Sequence, residues 1–209
     1  NLSCCWIQKQ KNKFNIKDFD AIKNPPITAD LVLLNPTLIA NFINNFRRKN
    51  NLTNCFVCIG LDGQSVFHCL CTNKEIEEKE IKNIVPKGLS LIDYQDINFC
   101  SFEDNHLFCV AAMPPAILFQ YLNFCIYAKL NVSILTTIPA AITLVYENFA
   151  NTKEQQLCFD SFENWYKKIK DSIKKEDLQL SWSQKNNSDD LIFSHIGLYL
   201  MGKNWYENN

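Results

Sequence analysis

The chain has 209 residues, is 47% hydrophobic and carries a formal net charge of −1. With 15 phenylalanines it holds ample apolar material for a packed core, which excludes a globally disordered chain. The near-zero charge excludes nucleic acid as the main partner, because phosphate contacts demand a basic excess. The length suits one large domain or two small ones.

Taken in chain order, residues 2–8 and 14–22 read as two strands around the polar turn Lys9–Lys13, a hairpin. Asn24-Pro25-Pro26 breaks the chain. Asn35 is placed as an N-cap with Pro36 at the first helical position, and Leu38, Ile39, Phe42, Ile43 and Phe46 follow at helical spacing. Arg47, Arg48 and Lys49 occupy the last turn, where cations suit the negative end of the helix dipole; they also offer a contact for lipid head groups or an acidic partner.

Cys55 to Leu61 reads as a buried strand, Asp62-Gly63 as a turn and Ser65 to Cys71 as a second strand, together a hairpin around Gly63. Lys74 to about Ile84 reads as a charged helix capped by Thr72 or Asn73 and ended by Pro86 and Gly88. Its pairs Glu75–Lys79 and Glu78–Lys82 have i,i+4 spacing, the mark of a solvated face rather than of a paired-carboxylate active site. Residues 91–102 and 106–113 form two further strands around Glu103-Asp104-Asn105. Pro114-Pro115 opens a helix with Ile117, Leu118, Tyr121, Leu122, Cys125 and Ile126 on one side. A strand over 132–138 follows, and Pro139 starts a helix through Phe149.

Lys153 to Lys174 reads as an amphipathic helix with Leu157, Phe162, Trp165, Ile169 and Ile173 facing the body of the protein. A polar linker over 183–190 leads to a short apolar helix, 191–201, ending at Gly202. Strands alternating with helices point to an α/β or α+β fold.

Ten cysteines invite a disulfide framework, but they stand inside apolar, strand-like runs such as NCFVCIG, VFHCLC and LFCVAAM, where free Cys behaves as a small hydrophobe. The expectation is reduced thiols in a cytosolic protein. Cys55, Cys58, Cys69 and Cys71, with His68, are a weak candidate zinc set: two close ligand pairs separated by a turn. Against it, Cys69 and Cys71 share one strand face while Cys55 and Cys58 point to opposite faces. His68, His106 and His195 are the only histidines, and His68 points away from the neighbouring Cys69 in a strand, so a Cys–His hydrolase has no specific support. The opening NLSCCWIQKQKNK lacks both the apolar stretch of a signal peptide and an initiator Met, as expected of a truncated N-terminus. Residues 111–130, the longest apolar stretch, are interrupted by Pro114, Pro115, Gln120 and Asn123 and make a poor membrane span.

The order of these elements resembles the front half of PilM-like proteins, the actin-like assembly proteins of type IV pili and type II secretion machines. The resemblance is carried by NPTLIANFINNFRRKN, by CFVCIGLDGQSVFHCLC with Gly63 in the turn, and by the charged helix NKEIEEKEIKNI. FCVAAM resembles the family's LLVAA strand, AKLNVSILTTIPAAI its AGL passage, and IGLYLMG its last helix. The likeness covers about residues 2–150 and is one of pattern and order.

The resemblance implies an α/β fold: a partial actin-like, ribonuclease-H-like sheet with an inserted strand–helix–strand–strand subdomain. It divides the chain into 1–53, a partial actin-like subdomain; 54–130, the inserted subdomain; and 131–209, a return strand and C-terminal helices. One departure is informative. Actin-like ATPases grip nucleotide through glycine-rich hairpins whose amides approach the phosphates. This chain has five glycines, and Asp62-Gly63 lacks the continuation of such a hairpin. The first phosphate loop would precede residue 1 and the second would fall near residue 155, inside a predicted helix.

The reading is therefore a non-enzymatic scaffold without a cofactor, cytoplasmic at the inner face of the inner membrane. It would bind the tail of a PilN-like inner-membrane protein, associate with the membrane through that partner, and form a homo-oligomer if its surface allows. Gly63, Gln64, Val66 and His68 are the residues chosen for partner binding. The alternatives are a metal- or thiol-dependent enzyme built on the Cys55/Cys58/His68/Cys69/Cys71 cluster, and a nucleotide-binding actin-like ATPase lacking its N-terminus.

Overall fold

A computed structural model describes residues 2–10, 13–53, 55–73, 81, 83–102, 105–149, 161–174, 178, 180–181 and 189–208. The architecture is mixed α/β, with eight strands in three small sheets and five helices among the described residues.

Strands β1 (Leu2–Gln10) and β2 (Lys13–Ile22) pair antiparallel from Leu2↔Ile22 to Gln10↔Lys13, with a register shift at Trp6/Ile7. The hairpin expected for residues 2–22 is present. Helix α1 (Pro36–Lys49) begins as its sequence dictates: the Asn35 side chain accepts from the Leu38 amide at 3.0 Å, and Pro36 occupies the first turn. It ends on Asn51 in the left-handed conformation (φ 55°), with the Leu52 amide reaching back to the Arg47 carbonyl at 2.9 Å.

The basic end of α1 is largely occupied within the fold. Lys49 pairs with Asp18 at 2.8 Å, Asn50 donates to the same carboxylate at 2.7 Å, and Arg47 donates to Asn44 and to the Thr53 carbonyl.

Strand β3 (Val57–Leu61) corrects the expectation of a hairpin around Gly63. It pairs in parallel with β7 (Val132–Thr137), ending at Leu61↔Thr137, whereas β4 (Phe67–Asn73) belongs to a different sheet. A two-residue hairpin needs left-handed backbone at its turn, and Gly63 does not adopt it. The turn instead docks sideways. Gln64 donates its amide to the Ala29 carbonyl at 3.3 Å, and Gly63 lies so close to Leu31 and to that carbonyl that a side chain would collide. Leu31, itself left-handed at φ 62°, is buried against this turn.

The third sheet has order β4-β6-β5, all antiparallel, with β6 (Asn105–Met113) in the centre and β5 (Ser90–Phe102) at one edge. The expected charged helix over 74–84 falls almost wholly outside the described residues; Ile81 within it is fully buried.

Helix α2 (Pro115–Tyr127) buries Ile117, Tyr121, Phe124 and Cys125 and leaves Leu122 and Ile126 outside, correcting the face expected from sequence. The helix is apolar on both sides, so periodicity could not choose between them. It closes with Lys129 at φ 52°; the Leu130 amide reaches the Cys125 carbonyl at 2.9 Å and the Lys129 amide reaches that of Ile126 at 3.1 Å, a Schellman motif without its glycine.

Helices α3 (Ile138–Phe149), α4 (Phe162–Ser172) and α5 (Asp189–Asn208) cover the sheets. Trp165 and Ile169 of α4 join Phe14, Leu107, Tyr146 and Ile196 in the largest core cluster, so the amphipathic stripe packs against the body as expected; Leu157 lies outside the described residues. The short strand β8 (Leu180–Ser181) adds in parallel to β2.

Helix α5 does not stop at Gly202 but runs on to Asn208. Gly202 faces the Cys58 thiol, and Gly197 faces the backbone of Ala141 so closely that a Cβ would overlap it. These glycines serve close packing, not helix termination. Among the described residues no helix is long and apolar enough to cross a membrane.

Candidate docking site

Strand β4 lies at the edge of its sheet, and its alternation puts His68 and Leu70 on one face and Cys69 and Cys71 on the other. Ser161 starts α4 by accepting from the Asn164 amide at 3.2 Å. With Trp165 and Ile169 turned into the core, the spacing places Glu163, Lys167, Lys170 and Asp171 on the outward side of the helix, and half-buried Tyr166 on its flank against the core. These side chains, with Phe162, Val66 and His68, line a cavity of about 450 Å³.

Three rings form its aromatic wall. The His68 imidazole is stacked on Phe162 (centroids 4.6 Å apart, planes at 5°), and Phe162 is stacked on Tyr166 (5.9 Å, 12°). Burial pushes the His68 pKa down to about 4, outweighing a hydrogen bond to the Val66 backbone and the Glu163 charge, so the ring is neutral at pH 7. Its Nε2 is buried and has no hydrogen-bond partner among the described residues. A neutral imidazole nitrogen without a partner, an aromatic wall and a rim carrying both charge signs can hold a ligand by stacking, one hydrogen bond and ion pairing.

Of the four residues chosen from sequence, Val66 and His68 line this cavity, while Gly63 and Gln64 sit in the turn against Ala29 and Leu31. Nothing in the sequence reading joined Phe162 or Tyr166 to them, because the two halves of the cavity come from distant parts of the chain.

The thiol cluster does not converge. Cys55 points at the Leu52 carbonyl (3.6 Å) and Cys58 at the Ser133 hydroxyl (3.4 Å), and the strands carrying Cys58 and Cys69/Cys71 belong to different sheets. Among the described residues no group of three or more His, Cys, Asp or Glu is placed to hold a metal ion. Burial raises the pKa of Cys69, and that of Cys71 to about 11, so both are protonated thiols at neutral pH and not activated nucleophiles.

Two part-buried polar contacts escaped the sequence reading. His195 on α5 bonds Ser3 on β1 through Nε2 at 3.2 Å and the Leu191 carbonyl through Nδ1 at 2.6 Å. Because a carbonyl only accepts, Nδ1 carries the proton and the Ser3 hydroxyl donates to Nε2. Burial lowers the His195 pKa, which keeps this neutral tautomer. Asp93, beside a register shift in β5, accepts from the Thr136 hydroxyl of β7, and burial holds its pKa above the ordinary carboxylate value. The His106 side chain lies outside the described residues.

No protein-family model matches the sequence, and no curated protein matches it either. Its fold is similar to a solved structure titled as a PilM–PilN type IV pilus biogenesis complex, at 15% sequence identity and a TM-score of 0.54. The match covers 71% of this chain and 48% of the other, so this chain spans about half the length of that neighbour.

Proposed function

We propose that this chain is a PilM-like scaffold of a type IV pilus or type II secretion-like machine. It docks the short cytoplasmic tail of a PilN-like inner-membrane protein and performs no catalysis. The observation that supports the reading most is the fold likeness to the PilM–PilN complex. On this reading the sheets are a partial ribonuclease-H-like core with an inserted subdomain, and the chain works at the inner face of the inner membrane.

The cavity between β4 and α4 is the proposed docking place. β4 offers a sheet edge to which an extended tail can add, and the His68–Phe162–Tyr166 wall offers a pocket for one apolar or aromatic side chain of that tail. The same reading assigns no nucleotide function, given only five glycines and no phosphate-gripping hairpin in the sequence.

Calorimetry with a synthetic peptide of a PilN-like cytoplasmic tail tests the proposal. Saturable binding that is lost in Phe162→Ala supports it. Absence of binding to such tails, or tight binding of ATP, removes it.

A further inference from the structure

Helix α2 carries no charged residue, and neither does the stretch from Pro114 through Ala128. Its outer side exposes Phe119 (60%), Leu122 (42%), Ile126 (76%) and Tyr127 (62%). The surface continues onto the start of α1. The Leu33 amide donates to the Gln120 side chain at 3.2 Å and the Thr37 and Tyr127 hydroxyls meet at 3.4 Å, which brings Leu34 (65% exposed) and Leu38 (44%) alongside. An apolar helix face of this kind in water calls for a cover.

We propose that this face is a two-fold interface between two copies of the chain. The area fits. At about 200 Å² for a fully exposed aromatic side chain and slightly less for Leu or Ile, the six residues present on the order of 650 Å² per copy. A standard specific interface takes about 800 Å² from each partner, and neighbouring Ala116, Gln120 and Asn123 supply the margin.

The chemistry selects the occupant. A charged partner finds no opposite charge to pair with on α2. A lipid-surface helix carries Lys or Arg along its polar side, and α2 has neither. An extended tail needs a sheet edge or a groove, and α2 offers the ridge of a helix. A second copy needs only self-complementarity. Phe119, Leu122 and Ile126 follow the 3–4 spacing that packs helix on helix. Asn123, beside the middle of that seam, is both donor and acceptor, so it can bond its own twin across the axis.

This inference does not depend on the docking function. Its test is sedimentation equilibrium of the full chain from about 1 to about 200 µM, a range that brackets micromolar affinity. The wild type is expected to dimerise. Phe119→Glu/Ile126→Glu should raise the dimer dissociation constant about 30-fold or more, while Tyr206→Glu, another exposed aromatic position, should leave it unchanged. Circular dichroism checks that each variant is folded; if the double variant is not, Ile126→Gln replaces it, with a weakening of about tenfold expected. A wild type that stays monomeric throughout, or a dimer indifferent to both α2 variants, overturns the proposal. So does flotation of the wild type with phosphatidylcholine–phosphatidylserine vesicles that the α2 substitutions abolish.

Discussion

The imidazole of His68 lies flat on the ring of Phe162, 4.6 Å between centroids and 5° from parallel. The contact ties the edge strand of one sheet to the first turn of α4 and buries a titratable group in doing so.

That burial makes stability depend on pH in a definite direction. The His68 pKa is about 4 in the fold against an ordinary value of 6.5, and His195 is also lowered. Between those values the unfolded chain binds more protons than the folded one, so stability is full above about pH 6.5 and falls as pH drops toward 4. The loss from His68 should be on the order of 2 kcal/mol. Urea midpoints at pH 7 and pH 4.5 should differ accordingly, and the difference should shrink in His68→Gln.

Thr136→Val should cost about 1–3 kcal/mol at neutral pH, because it leaves the buried Asp93 carboxylate without its hydroxyl donor. The carboxyl pKa is already raised by burial and should rise further. The destabilisation should shrink on acidification, as the acid becomes neutral. Denaturant titrations of both proteins at neutral and acid pH check this; an equal cost at both would separate the threonine from the carboxylate.

Lys129→Gly should stabilise the protein by about 1 kcal/mol. Lys129 holds the left-handed position that closes α2, where a side chain is strained and glycine is not. The measurement is a thermal melt, expected to shift upward by a few degrees.

Gly197→Ala should do the opposite, at about 1–3 kcal/mol or more, since the new methyl group overlaps the Ala141 backbone where α5 crosses α3. The same change at Gly88, whose surroundings are open, should act only through its φ of 90°. Comparing the two by chemical denaturation separates crowding from backbone strain.

The sequence was most legible where local chemistry decides. Asn35-Pro36, Pro114-Pro115 and Pro139 each mark the beginning of a helix within a residue or so of where it occurs. It was least legible where a choice depends on distant chain. The alternation in 55–71 was read correctly as two strands, yet β3 pairs with β7 rather than with its neighbour. Helix α2, apolar on both sides, gave no clue to its inner face. Gly202 looked like a stop signal because its real partner, Cys58, is remote in sequence. The candidate site was half visible for the same reason: Val66 and His68 stand beside a turn, but the helix that completes the cavity follows β4 only after three intervening strands.

The bond between Ser3 and His195 spans 192 positions, and its consequence falls on biosynthesis. Until α5 has left the ribosomal exit tunnel, the β1–β2 hairpin lacks this clamp. A nascent chain of this design therefore carries the hairpin without its clamp for as long as the segment between Ser3 and His195 takes to synthesise, the interval in which chaperones would act on it.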